Sequence, residues 1–173
     1  MCDPRSAIRP AQVTDAGEVW ALQRGAYVDE AQNYGDPYIA PLTEGVDQVR
    51  EHLAAGHPLL AACLDRRIVG MIRGRSTGTT FLVNRLAVAP DQRRRGVGRA
   101  LLGELEATVA AYVPEVTTVA LFVPDATVGA LRLGHQLGYA ETSRERISEH
   151  LTMVQLRKDL VPGVAAVVSE ARR

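Results

Sequence analysis

The residues best suited to chemistry lie in one short run, Arg93-Arg94-Arg95-Gly96-Val97-Gly98-Arg99. Gly96 and Gly98 carry no Cβ, so a ligand can approach the main chain and unusual dihedrals are open. An alternating apolar stretch ends just before the run, at Ala89-Pro90, and a helical pattern begins at Val97. The backbone N–H groups from about Arg94 to Gly98 therefore open a helix and have no intrahelical acceptors. Such a convergence of dipoles favours an anion, and a pyrophosphate suits it. No Gly-Lys-Ser/Thr follows, which excludes a Walker A loop, and the Gly-x-Gly-x-x-Gly of dinucleotide-binding folds is absent. Two other readings compete: a plain strand-to-helix turn with a solvated arginine run, and a nucleic-acid contact through Arg93 to Arg95. The second conflicts with overall charge, since 20 Lys plus Arg balance 20 Asp plus Glu and nucleic-acid binders carry a basic face.

A second set of reactive side chains falls in the first helical pattern and the segment after it: Tyr27, Glu30, Tyr34, Asp36 and Tyr38. Aromatic rings with carboxylates suit a pocket for an amine. Metal chemistry has no such support. Cys2 and Cys63 have no paired spacing, and His52, His57, His135 and His150 are scattered, so no metal site is expected. The start MCDPRSAIRP lacks the apolar core of a signal peptide, and no apolar run approaches a membrane span. A cytoplasmic protein without membrane or nucleic-acid partners is the expectation.

These residues need elements to position them. The 173 residues, 46% hydrophobic and 23% charged, fit one domain over 1–173, with a core over about 6–160 and a tail over 161–173. Strand propensity marks Ser6–Arg9. Thr14 is placed as an N-cap for a helix to about Tyr27 or beyond, with Val19, Leu22 and Ala26 on one face. Asn33 to Leu42, holding two prolines and a glycine, reads as a loop. A helix is expected over Glu44–Ala55. Strands follow at Leu59–Leu64, Ile68–Arg75 and Phe81–Val88, as an antiparallel meander. Val97–Tyr112 is the clearest helix, with Val97, Leu101, Leu105, Val109 and Tyr112 as its apolar stripe. The β-branched Val116–Val123 reads as a buried strand. A helix capped by Asp125, carrying Val128, Leu131 and Leu137, ends at Gly138. Strands at Tyr139–Ile147 and Leu151–Leu156 complete the pattern.

Arg93-x-x-Gly96-x-Gly98, after LAVAP and before an apolar helix, resembles the acyl-CoA motif of the GNAT superfamily of N-acyltransferases. The later VALFVPDATVGALRLGHQLGYAE, with its Leu137-Gly138-Tyr139, is similar to that family's second half, and the resemblance spans roughly Ser6 to Leu160. It implies an α/β (α+β) fold: a mixed, mostly antiparallel central sheet splayed into a V after Phe81–Ala89, with helices on both faces. It implies acetyl-CoA as acyl donor. Backbone of Leu86, Ala87 and Val88 would bind the pantetheine like an added strand. Arg93, Arg94, Arg95, Gly96, Val97, Gly98 and Arg99 would hold the pyrophosphate, with Thr127 where the family often has asparagine. The implied reaction is direct attack of a primary amine, of a small molecule or a peptide, on the thioester. It needs a base, an oxyanion donor near Ala87 or Val88, and an acid for the thiolate. The family's usual acid, a tyrosine, falls on Gly134, which cannot donate. The strand position of the usual carboxylate base holds Asn84 and Arg85. Glu30, Tyr34 and Asp36 are left as catalytic candidates, and Tyr27 and Arg85 as substrate contacts, Arg85 toward an acceptor carboxylate. A longer acyl group, admitted between Leu82, Leu86 and Phe122, is an alternative, as is a non-catalytic acyl-CoA-binding module. The resemblance also suggests a homodimer, through the last strands or the tail.

Overall fold

The computed structural model describes residues 8–160. Seven strands, β1 (Ile8–Pro10), β2 (Leu59–Leu64), β3 (Arg67–Thr77), β4 (Thr80–Val88), β5 (Thr118–Pro124), β6 (Ala140–Arg146) and β7 (Thr152–Asp159), build one sheet. Its order is β1-β2-β3-β4-β5-β7-β6. Every neighbouring pair is antiparallel except β4–β5. The helices are α1 (Ala16–Tyr34), α2 (Ala40–Thr43), α3 (Val46–Ala54), α4 (Val97–Tyr112) and α5 (Val128–Gln136). Tight turns make the meander, with positive φ at Asp65 (55°) between β2 and β3 and at Gly78 (57°) between β3 and β4, the handedness that matches strand twist.

The alternation of β3 sorts the helices onto two faces. A Cβ on Gly70 would meet Val97 and Leu101, so α4 lies on that face. Arg73, of opposite parity, meets Glu44 on the face of α1 and α3. Phe81, Leu101, Leu105, Val119 and Leu156 are fully buried at the centre, each an apolar side chain whose removal from water stabilises the fold by about 1.5–3 kcal/mol.

The element order is the expected one, with local corrections. Thr14 lies in a short 3-10 turn, and the residue before α1 is Asp15, whose carboxylate accepts the Gln12 N–H at 2.7 Å. The helix does not stop before Asn33: it continues to Tyr34 and ends at Gly35, in left-handed conformation. Ala40–Thr43, expected as loop, makes one helical turn with Pro41 in its first turn, where a missing N–H costs nothing. Glu44 lies outside α3 because its carboxylate is drawn onto Arg73. Thr127, not Asp125, precedes α5. Tyr112 and Val128 are 81% and 58% exposed, at the last residue of α4 and the first of α5. β6 is an edge strand with every residue exposed, and its charges discourage edge-to-edge pairing. The expected tail, 161–173, lies outside the described residues. Among those described, no helix is long and apolar enough to cross a membrane.

Candidate active site

The sheet opens at one place. β4 pairs with β5 only from Thr80↔Thr118 to Val83↔Leu121. The next residue, Asn84, is a bulge: Arg73 faces Arg85 while Gly74 faces Val83. Bulges bend a strand and end its pairing. Beyond it β5 stays with β7, and the edge of β4 toward β5 is bare. The Ala89 N–H donates to the Val69 carbonyl at 2.8 Å. Strand alternation then turns the N–H and C=O of Leu86 and Val88 to the bare edge. Ala87 instead faces β3 by backbone, with Met71 as register partner, and its side chain is buried. Of the three strand residues, Leu86 and Val88 therefore offer main chain to the V and Ala87 does not.

The bare edge runs into the arginine–glycine turn. Pro90–Gln92 form a 3-10 turn, Arg94 has φ 62° and Gly96 φ 86°. A left-handed non-glycine residue is uncommon and concentrates at ligand sites. Gly96 meets no neighbour at its missing Cβ, so its dihedral is what requires glycine. Gly98 is different: a Cβ there would lie 3.3 Å from Leu133 and 3.7 Å from Val88, so its bareness brings α4 close to α5. No side chain caps α4, and its first backbone bond is Ala100 N–H to the Gly96 carbonyl at 3.0 Å. The N–H groups of Val97, Gly98 and Arg99 are left pointing out of the helix end.

The arginines divide. Arg93 is drawn onto α1, bonding the Ala26 carbonyl at 2.8 Å and the Asp29 carboxylate. Arg99 donates to Gln136 Oε1 at 2.8 Å. Arg94 and Arg95 are exposed and have no hydrogen bond or ion pair among the described residues, which leaves their charge for an anion at the turn. The expectation that several arginine side chains face the phosphates therefore narrows to these two.

The third wall is a stripe of α1. Tyr27, Glu30 and Tyr34, at spacings of three and four, share a face. The Tyr27 hydroxyl donates to the Leu86 carbonyl at 3.3 Å, and burial, with the Glu30 charge beside it, pushes it up to about 12. Burial also raises the Glu30 carboxyl, opposed by Arg85. The Tyr34 hydroxyl is buried beside Thr127 and Ala126, without a hydrogen bond of good geometry; burial raises it in turn. Tyr34 thus carries α1 across to the start of α5 and brings Thr127 to the V. Asp36 is exposed and accepts the Tyr38 N–H at 2.8 Å, a turn-stabilising bond, and is not brought to the other candidates. Gly134 is buried, and a Cβ there would lie 2.5 Å from Leu156 Cδ1.

One cluster had no place in the sequence reading. Arg73 pairs with Glu44, and Gln23, fully buried, donates to Glu44 Oε2 at 2.7 Å. Burial alone would lift the Glu44 carboxyl, but the bonds from Arg73 and Gln23 outweigh it and hold it below its ordinary range. The available signal was an arginine at a strand position whose parity with Met71 points inward.

A bare strand edge leading to an uncapped, glycine-opened helix end suits an extended ligand terminating in phosphates. The family comparison agrees: residues 26–160 match the model of the acetyltransferase (GNAT) domain. The chain belongs to the GNAT acetyltransferase family. It is accordingly a transferase. Solved structures share the fold. The ribosomal-protein-S18-alanine N-acetyltransferase of Escherichia coli superposes with TM-score 0.72 at 17% identity, over 91% of this chain and 96% of that one. A GNAT superfamily phosphinothricin acetyltransferase from Sinorhizobium meliloti, in complex with acetyl-CoA, gives 0.74 at 15%, over 92% and 90%. The protein yncA of Salmonella typhimurium, with its cofactor acetyl-CoA, gives 0.70 at 18%, over 91% and 95%. No curated protein matches the sequence.

Proposed function

We propose that this GNAT enzyme transfers an acetyl group from acetyl-CoA to a primary amine of a small molecule or peptide, by direct attack. The observation that carries the reading is the continuity of the bare Leu86–Val88 edge with the uncapped N-terminus of α4. Leu86 and Val88 would hold the pantetheine amides. The N–H groups of Val97, Gly98 and Arg99, with the Arg94 and Arg95 side chains, would hold the pyrophosphate.

Acetyl-CoA, when bound, supplies an activated thioester carbonyl. The Leu86 N–H, aimed at the bare edge at its end away from the α4 N-terminus, would stabilise negative charge developing on the thioester oxygen. Glu30 takes the proton from the attacking amine; its raised affinity for protons suits a base. Tyr34 takes the place of the acid missing at Gly134 and donates its phenolic proton to the departing sulfur. Its contribution is small, since a thiol of ordinary pKa, about 8.5, departs readily as thiolate.

The test is a titration of the purified protein with acetyl-CoA, free CoA and longer acyl-CoAs, followed by melting temperature. Binding to the folded state alone raises it by linkage, about 2.7 kcal/mol at a hundredfold excess over Kd. Acetyl-CoA at the head of the rank order supports the reading. A longer acyl-CoA at the head changes the donor. No shift with any of them sinks acyl transfer at this site. A homodimer belongs to the same proposal, and the molar mass from light scattering tests it.

A further inference from the structure

Beside the V, a cleft of about 430 Å³ opens between α3 and the β3–β4 ladder, bordered by Glu44, Gln48, His52, Arg73 and Asn84 among others. Its size is that of a small-molecule site. Asn84 is the bulge residue at which β4 parts from β5, so the cleft and the V share a border.

Arg73, only 4% exposed, reaches this cleft. Its ion pair uses one nitrogen: Nη2 donates to both Glu44 oxygens, at 2.7 and 2.6 Å. Nη1 is buried and has no partner among the described residues. A buried charged donor left unmet is costly, and this one belongs to a planar fork suited to a second planar anion.

Arg85 compounds the imbalance. It is the register partner of Arg73 on β4, and directly opposed like charges on neighbouring strands repel. Its Nη1 donates to the Asn84 carbonyl at 2.8 Å, while its Nε is buried without a partner. Glu30 and Glu44 both lie within electrostatic reach of Arg85, but neither hydrogen-bonds it among the described residues. Two guanidiniums with spare buried N–H groups thus share the face beside this open cleft, whose border also carries the Glu51 carboxylate. His52 Nε2 is a further unpartnered buried nitrogen on the cleft wall.

We infer that this cleft binds the carboxylate of a small amino-acid acceptor through Arg73 Nη1, with Arg85 adding charge, and so presents the acceptor amine at Asn84 to the V. The inference rests on the acetyl-transfer reading and supplies its acceptor class. Arg73 is a binding and positioning residue and takes no part in the bond changes.

The experiment measures acetyl transfer from acetyl-CoA to L-amino acids, each beside its carboxamide, which keeps the amine and removes the negative charge. Thermal protection by the same compounds, without acetyl-CoA, runs in parallel. The wild-type enzyme is expected to favour the acids by about 30-fold in kcat/KM, mostly through KM, the scale of one charge-assisted hydrogen bond. In R73M with E44Q, which removes the ion pair as a unit and leaves neither partner as a lone buried charge, the ratio should fall to about threefold or less, the remainder being the contribution of Arg85. Equal or better use of carboxamides by the wild type, or an acid preference unchanged in the double variant, overturns the inference while acetyl transfer stands. Neither acetylation of nor protection by any acid overturns it as well. Failure of acetyl-CoA to raise the melting temperature is the separate mark against acetyl transfer; protection by acids but not carboxamides would then still report the cleft.

Discussion

Glu30 shows how a single side chain acquires a role from its surroundings. Three residues from Tyr27 and four from Tyr34 on α1, it is partly buried, and burial raises its pKa against the pull of Arg85. A carboxyl whose folded pKa lies above its unfolded one binds protons more tightly when folded. That contribution to stability is complete below the ordinary carboxyl range and is lost as pH rises through the raised value. E30Q is therefore expected to be more stable than wild type at neutral pH, with the difference vanishing in acid, as pH-dependent melting would record. As a base, Glu30 should impose an acid limb on kcat/KM. E30Q should abolish that limb and lower kcat by roughly 10²-fold or more. A retained limb would move the base elsewhere. Asp36 illustrates the reverse: a carboxylate of equal chemical capacity is held in a turn by the Tyr38 N–H.

Among the elements, α5 is constrained by what it must approach. Gly134 rests on Leu156 of β7 and Gly98 of α4 on Leu133 of α5, so bare positions set both the α5–β7 and the α4–α5 distances. Restoring the family's tyrosine at 134 should therefore not restore an acid. G134Y must displace Leu156, itself fully buried, and overpacking of this kind costs about 1–3 kcal/mol. For a chain of this size that is a drop of roughly 2–12 °C in melting temperature, without a gain in kcat. A faster, equally stable variant would show that the helix can shift and that an acid was missing.

At the scale of the whole molecule, the Arg73–Glu44 pair joins the connection between α2 and α3 to the middle of β3. The side chains are 5% and 17% exposed, so neither charge is well solvated alone. E44Q by itself should lose about 3–5 kcal/mol in urea unfolding, whereas E44Q with R73M should recover much of it. Equal loss in both would show that the loss does not come from an uncompensated Arg73.

Local pattern alone carried most of the architecture. The periods of two and 3.6, the prolines and the glycines placed the helices and nearly every strand to within a few residues, the C-terminal end of α1 excepted, because the sheet and helix faces bury what those periods align. The arginine–glycine turn was legible for the same reason, since its conformation is set by neighbours in sequence. What the sequence could not determine is which chemically equivalent groups meet. Arg93 and Arg95 differ by two positions, yet one is held by Asp29, 64 residues away, and the other has no such bond among the described residues. Leu86 and Val88 face the V while Ala87 does not, because a bulge at Asn84 and the end of β5 pairing coincide. Arg73 and Arg85 oppose each other through register alone. Tyr34 enters the site because α1 runs on past Asn33 and meets Thr127 across the V. Each of these is a long-range juxtaposition, decided by register and packing, to which local propensity is blind.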